Sequence, residues 1–277
     1  MSNTKTYPSP FVKWAGGKRQ LLDEISRRLP KTYNAYYEPF VGGGALLFNL
    51  APNNASINDI NTSLINAYLC IKEYPEEVIE EISGLDAQLG NDPKVFYYKQ
   101  RDEFNKMLAA NEQSVRSAAT LIFINKHCFN GLYRVNAKGQ FNVPYNGSKA
   151  SSCHPENIYA ASAYLSNVSI TNEDFEGICD KAKAGDFVFL DSPYAPLNPT
   201  SFEAYTKEGF SHEDHVRLAE TFRRLTSRGC YCMLTNHNTD FINELYGDFS
   251  IDVVRVKRAI NSDATKRTGT EVIIRNY

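Results

Sequence analysis

The run Phe187-Val188-Phe189-Leu190, followed at once by Asp191-Ser192-Pro193-Tyr194, constrains the fold more than any other stretch of the chain. Four successive apolar residues without polar alternation suit a strand buried on both faces of a parallel sheet. Pro193 cannot donate to a strand ladder, so the strand is expected to stop at Asp191. A carboxylate and an aromatic ring then stand together at a strand's carboxyl end. In open α/β sheets that is where ligands bind.

The first sixty residues carry a matching pattern. Leu21, Leu22, Ile25 and Leu29 have helical spacing, and Pro30 ends that helix. AYYEPF reads as a short strand, VGGG as a glycine turn, ALLFNL as a helix, and ASIND as a second strand ending at Asp59. This β-turn-α-β unit opens a nucleotide-binding α/β fold. Beyond it helical patterns dominate (SLINAYLCIKEY, EEVIEEI, FYYKQRDEFNKML, SVRSAATLIFINKH). FNGLYRVNAKGQFNVPYNGS then reads as a β-hairpin over about 129–146, turning at Ala137-Lys138-Gly139. The α/β alternation resumes with strands AGDFVFLD, CYCMLTN and EVIIRNY, and with a helix that Ser211 and Asp214 cap. The expected organisation is a discontinuous α/β domain, residues 1–61 and 154–277, interrupted by a helical and hairpin domain at 62–153.

Composition removes several classes. With 277 residues, 42% hydrophobic and 22% charged, the chain suits a soluble globular protein. No apolar run approaches the roughly 20 residues that span a bilayer, and MSNTKTYPSPF lacks a signal-peptide layout. The six cysteines form no CxxC pair and are expected to be reduced, with Cys230 and Cys232 in the core. A net charge of −2 argues against a protein that merely coats nucleic acid. Positive charge is nevertheless gathered at Arg255, Lys257, Arg258, Lys266 and Arg267, as a cleft would need. The acidic run Glu73 to Glu81 reads as a solvated face. His212 and His215 lack a third ligand, so no metal is expected. AGGKRQ lacks the glycine spacing and the hydroxyl residue of a phosphate-binding P-loop.

The remaining motifs carry chemistry. A glycine turn at Gly42-Gly43-Gly44, with Asp59 ending the next strand, suits a cofactor bearing a ribose. By pattern alone, nicotinamide dinucleotides and S-adenosylmethionine both remain open. Asp191 and the carbonyl of Ser192 could accept both N–H groups of an exocyclic base amine and free its lone pair. Pro193 would stiffen that turn, and Tyr194 would stack on a base drawn out of the duplex.

Four motifs in order, from Phe11-Val12-Lys13-Trp14-Ala15-Gly16-Gly17-Lys18 through Glu38-Pro39-Phe40-Val41-Gly42-Gly43-Gly44 and the hairpin to Asp191-Ser192-Pro193-Tyr194, closely resemble the Dam family of DNA adenine-N6 methyltransferases. The similarity extends to the C-terminus through NEDFE and LTNHNTDFINELY. It implies a Rossmann-like S-adenosylmethionine-dependent methyltransferase sheet with an inserted DNA-recognition domain. It implies that Trp14, Ala15, Gly16 and Lys18 line the cofactor site, and that Phe40, Gly42, Gly43 and Gly44 form its turn. Asp59 would take the ribose, Asp174 and Phe175 the cofactor adenine, and Asp191 and Tyr194 the target adenine. The hairpin would read sequence in the major groove, with Arg134 on guanine and Leu132 and Pro144 on a thymine methyl. Lys13 and Asn136 join these base contacts, Lys138 and Lys149 would meet phosphates, and GATC is the expected site. Two departures stand out. Ser192 replaces the first proline of the family's Asp-Pro-Pro-Tyr, and Asn146-Gly147-Ser148-Lys149 replaces a usual Gly-Arg-Tyr-Lys. A cytosine-N4 methyltransferase and a catalytically impaired DNA-binding relative are the alternatives. The expected partner is duplex DNA, met by a single copy of a cytoplasmic, nucleoid-associated protein without metal or membrane.

Overall fold

The computed structural model describes residues 8–14, 16, 18, 21–90, 92–197, 209–257 and 268–277. Ala15 and Gly17 lie outside the described residues, as do Arg258, Lys266 and Arg267 of the basic cluster. The strands are β1 (Tyr36–Glu38), β2 (Ala55–Asn58), β3 (Val168–Thr171), β4 (Phe187–Leu190), β5 (Tyr231–His237), β6 (Ser250–Lys257) and β7 (Thr268–Arg275). The helices are α1 (Leu22–Ser26), α2 (Ala45–Leu50), α3 (Thr62–Glu73), α4 (Pro75–Gln88), α5 (Pro93–Ala109), α6 (Val115–His127), α7 (Pro155–Leu165), α8 (Phe175–Cys179), α9 (His212–Arg228) and α10 (Asp240–Leu245). The chain divides into two compact units. One comprises Met1–Gly17, Gly42–Ala51 and Asp59–Asn172, the other Lys18–Val41, Pro52–Asn58 and Glu173–Tyr277.

The second unit is built on a mixed sheet, in which its strands are ordered β2-β1-β4-β5-β7-β6. β1, β2, β4 and β5 run parallel, whereas β7 is antiparallel to both β5 and β6. Strand order reverses between β1 and β4, which makes their carboxyl ends the switch point where α/β sheets hold ligands. All four residues of β4 are buried, as the unbroken apolar run requires. Val188, Leu190, Cys232, Leu234, Val272 and Ile274 share one core with Leu218, Phe222 and Leu225 of α9. Ser211 and Asp214 form the reciprocal cap at the start of α9, and Gly229 ends it at φ 87°. The polar, β-branched β3 and the alternating β6 were not marked by the sequence patterns.

In the first unit α6 is buried on nearly every face and packs against α3, α4 and α5. Asn61, Asp92 and Ser114 accept backbone N–H groups at the starts of α3, α5 and α6. The hairpin differs from a continuous ribbon. It closes through two isolated antiparallel bridges, Cys128 with Tyr145 and Val135 with Phe141. The outward-facing backbone groups of its second arm go to α5, while Asn142 N and the carbonyls of Gln140 and Pro144 still pair with the first arm. Asn105 accepts from Phe141 N at 2.7 Å and donates to Phe141 O, while the Tyr97 hydroxyl donates to Val143 O. The tip is an Asn136 turn, whose side-chain oxygen accepts from Lys138 N and Gln140 N.

Candidate active site

Asp191 follows the last residue of β4 and is fixed from two directions in the second unit. Its Oδ1 accepts from Lys18 Nζ at 2.7 Å and from the Thr235 hydroxyl at 2.6 Å. Register explains the second contact, because Leu190 pairs with Leu234 and so brings Asp191 beside Thr235. Burial raises the Asp191 carboxyl above its ordinary pKa, against the pull of the Lys18 ammonium and the two hydrogen bonds. Lys18 Nζ also stands 4.4 Å from the centre of the Tyr194 ring. The Tyr194 hydroxyl donates to Glu271 Oε2 at 2.8 Å, and His237 meets the ring edge-on with centroids 4.8 Å apart. Burial drives the Tyr194 phenol well above its usual pKa, so it is a neutral donor. Ser192 is buried, and its hydroxyl makes no hydrogen bond among the described residues. Asn236 Oδ1 accepts from Ala195 N at 2.9 Å and fixes the chain just past Tyr194.

The same unit places Phe40, Phe175 and Phe210 in one aromatic cluster, with centroids 5.4–5.9 Å apart. Asp174 caps α8 through Glu176 N and pairs with Arg217 at 2.6 Å. Arg217 also lies over the Phe175 ring at 4.6 Å. Asp174 and Phe175 are therefore held as a pair by Arg217, which no sequence motif marked.

The first unit carries the glycine turn. Gly42 and Gly44 have φ of 49° and 70°, a conformation that costs other residues energy. Space is short as well. A Cβ on Gly44 would lie 2.6 Å from the Tyr68 hydroxyl, and one on Gly42 would lie 3.1 Å from the Trp14 ring. Asp59 closes the turn, with Oδ2 accepting from Gly42 N and Oδ1 from Asn61 N. Burial raises its pKa, and those two backbone N–H groups oppose the shift. Trp14 stacks on Tyr133 of the hairpin, with centroids 4.7 Å apart. Gly16 is an exposed turn residue at φ 81°.

Among the candidate readers, Lys13, Arg134, Lys138, Pro144 and Lys149 are exposed, and Leu132 and Asn136 are half-buried. Asn125 of α6 brackets Lys13 by accepting from its N and donating to its O. Arg134 Nε donates to Asn142 Oδ1 at 2.8 Å, which orients the guanidinium. Phe129, not among the expected readers, is 54% exposed beside Asn130 in a left-handed turn at φ 58°. An apolar ring just before Asn-Gly was its signal. Thr235 and Glu271 were legible only as polar residues within apolar strands.

A mixed sheet with a carboxylate and a tyrosine at its parallel switch point, in a chain that also carries a glycine turn closed by Asp59, defines an α/β ligand-binding protein. Residues 14–260 match the family described as D12 class N6 adenine-specific DNA methyltransferase. The chain belongs to this family, and its reaction is methylation of adenine N6 in DNA. It is 43% identical over 273 residues to a type II methyltransferase, M1.LlaDCHI, of Lactococcus lactis subsp. cremoris, covering 97% of this chain and 95% of that one. It is 45% identical over 286 residues to the type II methyltransferase M.MjaIII of Methanocaldococcus jannaschii, covering 97% and 99%. The DNA adenine methylase of Escherichia coli K12 is 33% identical, covering 96% and 94%. The expected family and the Rossmann-like α/β class both hold, and adenine prevails over the cytosine-N4 alternative. Among the described residues, no helix is long and apolar enough to cross a membrane, and no cluster of three potential metal ligands occurs.

Proposed function

We propose that this enzyme methylates an adenine flipped out of duplex DNA, with Asp191, the Ser192 carbonyl and Tyr194 holding the base. The observation that carries this reading is the fixation of Asp191 at a buried strand end by Lys18 and Thr235, beside the tethered ring of Tyr194. The N6 lone pair is delocalised into the purine. Two acceptors taking its N–H groups draw the nitrogen towards a tetrahedral, nucleophilic form. Pro193 stiffens the turn that follows them. The acceptor at residue 192 is a backbone carbonyl, so serine serves where proline is usual.

The cofactor is S-adenosylmethionine, which supplies an electrophilic methyl group when bound. The donor set suits it. Each Asp59 oxygen uses one lone pair on a backbone N–H and keeps another for a ribose hydroxyl. Asp174 likewise has acceptor capacity for an adenine N6, with Phe175 and Phe40 as apolar neighbours. Trp14, Ala15, Gly16, Lys18 and the turn at 42–44 are the further proposed members of the binding set.

Residues 62–153 form the target-recognition domain. Arg134 reads guanine, Leu132 and Pro144 meet a thymine methyl, Lys13 and Asn136 add base contacts, and Lys138 and Lys149 bind phosphates. GATC is the proposed site. Exposed Phe129 offers a stacking surface where a base has left the helix. One copy acts on each site, in the cytoplasm and on the nucleoid. Incubating GATC duplexes with tritiated methyl cofactor, followed by nucleoside analysis, tests the whole reading. We expect N6-methyladenine from the wild type and none from Asp191→Ala. Label on cytosine, or wild-type labelling by Asp191→Ala, would overturn it.

A further inference from the structure

We infer that Glu271 is a positioning residue for the methyl transfer, acting through the Tyr194 hydroxyl to set the ring on which the target adenine stacks. The inference rests on the proposed role of Tyr194. Side chains alternate along β7, so Val272 and Ile274 enter the core while Glu271 faces the other way. Glu271 pairs with His237 across the β5–β7 ladder, and two residues back on β5 Thr235 shares that face. Tyr194 is thus held at three places by one sheet face and its neighbours. Glu271 takes its hydroxyl at 2.8 Å, His237 packs against its ring in a T-shaped arrangement, and Lys18 lies over its face. Nothing in the chemistry of methyl transfer consumes the Tyr194 proton. What a carboxylate on that hydroxyl supplies is orientation and electron density. A phenol donating to a carboxylate has a more electron-rich ring, which favours a stacked base whose amine turns cationic as it takes a methyl group. Charge points the same way. Two carboxyl groups, Asp191 and Glu271, face the single Lys18 amine around the ring, an arrangement suited to an arriving positive charge.

The experiment compares Glu271→Leu, Glu271→Gln and Tyr194→Phe with the double variant Glu271→Leu/Tyr194→Phe. It measures kcat and KM for methylation of a duplex, and the fluorescence of 2-aminopurine in place of the target adenine. Tyr194→Ala is run in parallel, and calorimetry of S-adenosylmethionine binding checks that each variant is folded. Losing a hydrogen bond to a charged group should lower kcat/KM of Glu271→Leu roughly 10- to 100-fold and dim the 2-aminopurine signal. Glu271→Gln, which still offers an acceptor, should recover most of that loss. In the Tyr194→Phe background Glu271→Leu should cost nothing further. An equal cost in both backgrounds, or a wild-type Glu271→Leu, would overturn the inference. Wild-type turnover and fluorescence from Tyr194→Ala would instead remove the role of Tyr194 itself.

Discussion

Replacing Lys18 by Met leaves Asp191 as a carboxylate at a strand end without its ammonium. The Lys18 and Asp191 side chains are 6% and 16% exposed, so the pair is shielded from solvent. Removing one member of such a pair costs about 3–5 kcal/mol, and the Thr235 hydroxyl at 2.6 Å favours the lower end. The pH dependence follows from the direction of the Asp191 shift. Its folded pKa is already raised by burial, so protonation favours the folded state at this group. Without Lys18 the folded value rises further. The stability contribution of the neutral carboxyl is present in full below the unfolded value of about 3.9 and is lost as pH rises through the folded value. The penalty of Lys18→Met should therefore be smallest in acid and grow as pH rises. Guanidinium unfolding of wild type and variant across that range measures it. The double variant Lys18→Met/Asp191→Asn, which keeps an acceptor for Thr235 without the charge, should recover most of the lost stability at pH 8. A penalty independent of pH, or a double variant no more stable than the single, would refute the buried-pair argument.

Gly44→Ala should cost about 1–3 kcal/mol, since it combines a left-handed backbone with a Cβ 2.6 Å from the Tyr68 hydroxyl; thermal unfolding and S-adenosylmethionine calorimetry measure both consequences. Arg134→Ala should remove about 1–3 kcal/mol of discrimination at one base pair, measured by methylation of GATC against each singly substituted site; an equal loss on every sequence would make Arg134 a backbone contact. His215, pushed down to about 4 by burial, is neutral when folded. Stability should fall between pH 6.5 and 4 by up to roughly 3 kcal/mol, and His215→Leu should flatten that limb of the profile.

Much of this was legible because the decisive stretches are locally unambiguous. Four apolar residues before Asp-Ser-Pro-Tyr left no other place for Asp191 than a buried strand end, and β4 is there. The Ser211 and Asp214 cap was readable from two residues three apart. The hairpin was less so, because its outward-facing backbone groups at Phe141 and Val143 are taken by Asn105 and Tyr97, which lie on a helix distant in sequence. Thr235 and Glu271 escaped for a similar reason. Each is an ordinary polar residue in an apolar strand, and its meaning depends on which strand lies beside it. The Trp14–Tyr133 stack joins residues that no short motif could connect.

The strand order of the sheet bears on how the chain reaches this state. Tyr36 pairs with Phe187, so β1 cannot join β4 until almost everything between them has been made and gathered in. Closing so long a loop is paid in entropy before the sheet returns anything, and folding rates fall as such distant pairings accumulate. The helices α3 to α6 make contacts nearer in sequence and can assemble without waiting for it. On a ribosome β1 can pair with β2 early, but the edge that takes β4 must stay open until β4 has been made, exposed to mispairing and to chaperones. A destabilised variant of this enzyme should thus show its defect first as poor yield during synthesis, ahead of any loss of activity in the molecules that do fold.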